Sequence, residues 1–296
     1  MNVEMIKRYI LPVVITTVVI LVAIILTMRS LIPTWCNDTS YLSKLIVKSP
    51  IVLMEMKGRP ILVDVRDIYL NEEIESTTNS GIPALLGRII SKGDRVIIIG
   101  DGAGYYSMMI GDLIGKRGKI FLFQPNGDNN RLVEYNLKMN DMWDYVSISN
   151  KMPYSTNSKV LIENFTNSLH AYRVLLNVDH TSDYARLTNT IEAVRIDDVL
   201  KGQSVNFIKL HCYGAEIKSL LGAVRTIQNS SRVSIMMQWN PEAMKYYGDI
   251  LPFINNMMYL GFEFWSISDS GVKELLTKNR LLREQFDNVL ITKETI

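Results

Sequence analysis

Cysteine is nearly missing from this chain: Cys36 and Cys212 are the only two in 296 residues. Far apart and in unlike surroundings, they exclude a disulfide framework and a cysteine-rich zinc site. Histidine is almost as scarce, and His170 and His180 have no Cys or acid at ligand spacing, so no metal is expected. An excess of one charge is also absent. The 32 Lys and Arg nearly balance the 30 Asp and Glu, which leaves no basic field for nucleic acid and no acidic solvated tail. No internal repeat and no low-complexity tract interrupts the chain. Its 47% hydrophobic content is ordinary for a protein with a packed core.

One long apolar run is present. Tyr9 to Met28 is twenty residues without a charge, bracketed by Lys7, Arg8 and Arg29. At about 1.5 Å per residue such a helix spans about 30 Å, the thickness of a bilayer core. A cleaved leader has a shorter apolar region of about 7 to 15 residues ending at small side chains, and Leu26-Thr-Met-Arg-Ser30 offers no such end. The expectation is a single-pass membrane anchor at 1–30. A tether with an N-terminal strand and helix follows at 31–90, and the main domain at 91–296. Basic residues flank both ends of the span, so they do not orient it.

The most informative stretch is Val96-Ile-Ile-Ile-Gly-Asp-Gly-Ala-Gly-Tyr-Tyr-Ser107. It reads as a buried strand, a tight glycine turn and a helix start, the arrangement that lets a backbone approach a nucleotide-like ligand. Downstream, strands and helices alternate. Strands are expected at Lys119–Phe123, Tyr145–Ile148, Val205–Leu210, Val233–Trp239, Phe262–Ile267 and Asn288–Thr292. Helices are expected at Ala103–Ile114, Asn129–Met139, Glu216–Ile227 and Asp249–Leu260, while residues 150–190 read as irregular. Such alternation implies a mostly parallel α/β sheet covered on both faces, with ligands held at the carboxyl ends of its strands. A dinucleotide used for redox work is a fainter possibility, because no acid ends the second strand to select a ribose.

Those strand ends carry a resemblance. Ile98 to Ser107, Phe123-Gln-Pro-Asn126 and Ile208 to Glu216 resemble three motifs of the FkbM-type S-adenosylmethionine-dependent methyltransferases: Asp-Ile-Gly-Ala-Asn-x-Gly-Tyr-Tyr-Ser, Phe-Glu-Pro-Asn and Ile-Lys-Ile-Asp-Val-Glu-Gly-Ala-Glu. Gly58 to Asp67 and Trp239 to Gly248 are two further echoes, so the likeness spans roughly residues 57 to 270. It implies a Rossmann-like class I methyltransferase fold with a seven-stranded, mostly parallel sheet whose last strand is antiparallel. It also implies S-adenosylmethionine as cofactor and O-methylation of a sugar, glycan or related metabolite near a membrane. By this resemblance Gly100, Asp101, Gly102, Gly104, Tyr105, Gln124 and Asn126 are the cofactor-binding candidates, and His211 and Glu216 the catalytic ones. An active domain of this kind faces the cytoplasm, where the cofactor is found.

The departures from the family pattern fall on its acids. Ile98, Gln124, His211 and Gln238 stand where carboxylates are expected, and Tyr213 replaces a Glu. A charge-assisted hydrogen bond contributes roughly 1.5 to 3 kcal/mol against about 1 for a neutral one, so Gln124 grips a ribose about tenfold less well than Glu. His211 brings an imidazole, which can accept the proton of a methyl-accepting hydroxyl. Glu216 opens a helix, where a carboxylate also serves as a cap. The alternative expectation is therefore a pseudo-methyltransferase, a membrane-anchored binding or scaffold module that keeps the sheet without the catalysis.

Overall fold

Four consecutive β-branched residues, Val96 to Ile99, cannot be amphipathic at a period of two, so they form a strand only where both faces are covered. In the computed structural model that strand, β3 (Arg95–Ile99), is the centre of the main sheet, and all four residues are fully buried. The structure describes residues 51–56, 58–64, 80–125, 127–164, 172–175, 188–268, 271 and 273–293. Ile51–Ile296 form one unit and Met1–Pro50 another. The expected anchor at Tyr9–Met28, most of the tether, Asn126, His170 and His180 lie outside the described residues. Among the described residues no helix is long and apolar enough to cross a membrane.

The unit begins with an antiparallel hairpin, β1 (Ile51–Met56) and β2 (Arg59–Asp64), followed by helix α1 (Ile82–Ile89). After β3 come α2 (Tyr105–Ile114), β4 (Lys119–Phe123), α3 (Gly127–Met139) and β5 (Val146–Ser149). Next are β6 (Met152–Pro153), β7 (Ser158–Asn164), β8 (Tyr172–Leu175), β9 (Thr188–Val194) and the short helix α4 (Ile196–Leu200). The second half runs β10 (Phe207–Leu210), α5 (Glu216–Leu221), α6 (Val224–Gln228), β11 (Ser234–Trp239), α7 (Pro241–Lys245) and α8 (Leu251–Tyr259). It closes with β12 (Glu263–Ile267), β13 (Lys273–Leu275), α9 (Lys278–Arg283) and β14 (Phe286–Thr292).

The main sheet has the order β13-β12-β14-β11-β10-β3-β4-β5. The five strands from β5 to β11 are parallel, and β14 enters antiparallel between β11 and β12. Leaving out the edge strand β13, the chain order is 3-2-1-4-5-7-6 with strand seven reversed, which is the Rossmann-like methyltransferase arrangement. The expectation of seven strands is corrected to eight. Lys273–Leu275 adds a short edge, too brief for a periodic signal.

Alternate residues of the strands feed two cores. Ile97, Ile99, Ile208, Leu210, Ile235 and Met237 pack with helices α5 to α8 on one face. Val96, Ile98, Phe207 and Met236 pack with α1, α2, α3 and the hairpin on the other.

Two further expectations are corrected. Residues 150–190 are not irregular throughout: β6, β7, β8 and β9 form a four-stranded sheet in the order β6-β9-β7-β8, with β7 antiparallel to both neighbours. Only one face of this small sheet meets the core, through Ile162, Val174 and Ala193, so its apolar residues are too sparse to read as strands. The helix expected over Glu216–Ile227 is broken in two at Gly222–Ala223. A carboxylate from elsewhere explains the break, because Asp197 of α4 accepts the Thr226 amide (2.8 Å) and the Arg225 amide (3.2 Å), capping α6 from outside its own sequence.

Candidate functional site

The carboxyl ends of β3, β4, β10 and β11 share one edge of the sheet. The chain reverses its direction of travel between β3 and β10, the switch point where open α/β sheets hold their ligands. The turn after β3 has glycines in the left-handed region at 100 (φ 71), 102 (φ 52) and 104 (φ 92). Gly100 is fixed by sterics as well as by φ, since a Cβ there would lie 2.4 Å from the His211 carbonyl oxygen. The sequence thus places the tip of β10 directly against the turn.

The turn is satisfied from within. The Gly100 amide donates to Phe123 O (3.1 Å) and the Gly104 amide to Asp101 O (2.8 Å). The Asp101 amide donates to Gln124 Oε1 (3.0 Å), while Gln124 Nε2 donates to Gly102 O (2.9 Å). The Asp101 carboxylate accepts the amides of Tyr106 (2.7 Å) and Ser107 (2.9 Å), the first turn of α2. Asp101 and Gln124 are only 4% and 3% exposed. Burial pushes the Asp101 carboxyl up to about 6, although Ser107, Lys209 and Tyr106 pull it down.

Lys209, in the middle of β10, supplies the positive charge that faces Asp101. It is 3% exposed, its Nζ donates to Gly100 O at 3.4 Å, and the ammonium lies 4.1 Å from the Tyr106 ring centroid. Lys209 stands directly opposite Ile98 in the strand register, so the expected strand acid would have been its neighbour. With isoleucine at 98, the carboxylate facing this cation comes from the turn instead. Sequence reasoning passed over Lys209, yet it carried a signal: a lysine between Ile208 and Leu210, in a strand buried on both faces, needs a partner. Asn136 was also missed. It donates to Leu62 O (2.9 Å) and Ala103 O (2.7 Å) and accepts from the Leu62 amide (2.7 Å), tying the hairpin to the turn through α3. Nothing in an Asn-rich helix marks it out.

At the end of β10 the catalytic candidates separate. His211 is half-buried at the strand tip, its ring 4.6 Å from that of Tyr213, whose backbone is left-handed (φ 50). Glu216 is 1% exposed, and its two oxygens accept the amides of Cys212 and Gly214, each at 2.8 Å. Burial raises its carboxyl above the ordinary range. Glu216, one of the two catalytic candidates, thus holds the 211–215 loop through both of its oxygens. Cys212 is buried beside it, and burial followed by that carboxylate pushes its thiol up, leaving the sulfur inert.

The structure thus brings together Gly100, Asp101, Gly102, Gly104, Gln124 and His211, with half-buried Gln238 at a β-bulge on the neighbouring strand. Tyr105 is buried and packs edge-to-face on Tyr106 (5.3 Å), a packing role for a residue expected beside the cofactor. Asp101, a cofactor-binding candidate, is turned inward onto the first turn of α2. The backbone of the site fits an adenosine-bearing ligand, with a glycine turn at the switch point and half-exposed Gly102 at its tip. Two of its side chains, Asp101 and Gln124, have their polar atoms committed to the turn. Among the described residues, no group of three or more His, Cys, Asp or Glu could hold a metal ion.

The fold is a Rossmann-like, mostly parallel α/β sheet with β14 reversed. No family model matches the chain. It is 31% identical over 120 residues to leucine aminopeptidase 1 of Paracoccidioides brasiliensis (strain Pb03), covering 37% of this chain and 31% of that protein; it thus spans about a third of the curated relative it matches. Among solved structures it is similar to an S-adenosylmethionine-dependent O-methyltransferase from Thermotoga maritima (11% identity, TM-score 0.38, 83% of this chain and 78% of that one). It is also similar to an O-methyltransferase from Bacillus cereus in complex with S-adenosylhomocysteine (8% identity, TM-score 0.38, 73% and 79%).

Proposed function

We propose that this protein is an S-adenosylmethionine-dependent O-methyltransferase acting on a hydroxyl, in line with its likeness to FkbM-type enzymes on a sugar, glycan or related metabolite at a membrane. The observation that carries the reading is the glycine turn at the switch point of a 3-2-1-4-5-7-6 sheet with its seventh strand reversed. The cofactor supplies an already activated methyl group, so the protein's task is alignment and the handling of one proton. Gly100, Gly102 and Gly104 would bring the backbone close to the adenosyl moiety. His211 is the strand-tip side chain suited to accepting the proton of the acceptor hydroxyl.

A second reading, a non-catalytic binding module on the same fold, is favoured by one specific observation: the Asp101 carboxylate and the Gln124 amide are spent on the turn. Calorimetric titration of the full-length chain in detergent with S-adenosylmethionine and S-adenosylhomocysteine separates the two. Saturable binding is expected, with transfer to a sugar hydroxyl lost in His211→Ala. Silence at several millimolar of both ligands would leave only the module.

A further inference from the structure

We propose that Gln124 and Asp101 form a latch that closes the glycine turn, and that an adenosyl ligand enters only when Gln124 lets go; this rests on the adenosyl-site reading above. Every polar atom of the Gln124 side chain is used in the closure. Its oxygen takes the Asp101 amide at 3.0 Å and its nitrogen gives to the Gly102 carbonyl at 2.9 Å, clipping the turn across two successive residues. Asp101 completes the closure from the other side, with its carboxylate on the amides of Tyr106 and Ser107 and its carbonyl on the amide of Gly104. At the helix start the amides of Gly104, Tyr106 and Ser107, which would otherwise be open to a ligand, are thereby engaged by Asp101.

The latch has support beneath and beside it. The Lys209 ammonium below the turn counters the Asp101 charge and holds the Gly100 carbonyl. Asn136 holds the carbonyl of Ala103, next to the clipped Gly102. Around the clip the backbone is thus pinned at 100, 101, 103 and 104, so the Gln124 side chain is the part that moves at least cost. Two neutral hydrogen bonds stand between the closed and open forms.

The sign of the effect distinguishes a latch from a supporting residue, since truncating a support weakens binding and truncating a latch strengthens it. Gln124→Ala removes both bonds without adding a ribose partner. Gln124→Glu keeps an acceptor for the Asp101 amide but cannot donate to Gly102. Both variants, as full-length chains in detergent with folding checked by circular dichroism, are titrated with S-adenosylhomocysteine. Hydrogen exchange at the Asp101 amide is followed in parallel.

The expected result is binding roughly 10- to 30-fold tighter than wild type in Gln124→Ala, together with faster exchange at Asp101. Tighter binding in Gln124→Ala over a silent wild type would support the latch while removing the catalytic reading of the natural protein. Tighter binding in Gln124→Glu alone would overturn the latch, because the gain would then come from the restored ribose acceptor. Wild type binding as well as Gln124→Ala would also overturn it, and would leave the proposed function standing. Silence in all three would overturn both.

Discussion

Asp101 is a carboxylate with almost no water around it, facing Lys209 from β10 and the amides of Tyr106 and Ser107 from α2. Its carboxyl lies near 6 against 3.8 when exposed, so the folded state holds that proton more tightly than the unfolded chain does. The stability this contributes is fully present below 3.8 and is lost as pH rises through 6. The loss is about 3 kcal/mol at 1.36 kcal/mol per pH unit. Asp101→Asn should lack that fall. In urea unfolding followed by tryptophan fluorescence, its stability relative to wild type should improve by about 2 kcal/mol between pH 4 and pH 7; an unchanged difference would contradict the burial of a titrating carboxylate. At this scale the sequence was legible in part. The three glycines could be placed from their pattern, but the direction of the Gln124 side chain could not, because it depends on how the turn after one strand lies against the tip of the next.

Among the elements, the junction of α4, α5 and α6 shows why helix boundaries are hard to read. Glu216 to Ile227 has a continuous helical pattern, yet the chain stops and restarts at Gly222–Ala223. There the Asp197 amide donates to the Gly222 carbonyl (2.9 Å), while its carboxylate caps the next helix. Burial alone would raise the Asp197 carboxyl, but bonds from Thr226, Arg225 and Arg195 outweigh it and hold it below the ordinary range. Gly222 is required here for space rather than for φ, since a Cβ would lie 2.1 Å from the Tyr154 carbonyl oxygen. Gly222→Ala should therefore cost about 2 to 3 kcal/mol in thermal or urea unfolding. A neutral outcome would mean that the small sheet, to which Tyr154 is joined through Val194, is not pressed against α5 as described. The parallel strands were legible because a strand buried on both faces must be apolar throughout. The small sheet was not, because its strands are buried on one side only.

For the whole molecule, the order of strands follows from the alternation of the sequence, and the reversed β14 from its position after a hairpin. The part of the chain before Ile51 is the other half of the proposal about location. If Tyr9–Met28 is an anchor, the full-length chain floats with liposomes in a density gradient and stays with them after a carbonate wash. Replacing Ile15, Val19 and Leu21 with aspartate then releases it, since each charge costs about 2.5 to 3.5 kcal/mol at mid-bilayer. Recovery of the unaltered chain in the wash would remove the membrane from the proposed function and leave the turn and its chemistry untouched.

Glutamine and glutamate codons differ at one base, and the two side chains differ by an NH2 group in place of an oxygen. At residue 124 that exchange removes the side-chain donor that reaches the Gly102 carbonyl. The shut and receptive states of this protein are therefore neighbours in sequence space, one substitution apart. Natural homologues carrying glutamate at this position should then tend to have a small uncharged residue at the position of Asp101, because two acids side by side at the same turn would repel one another above a single buried lysine.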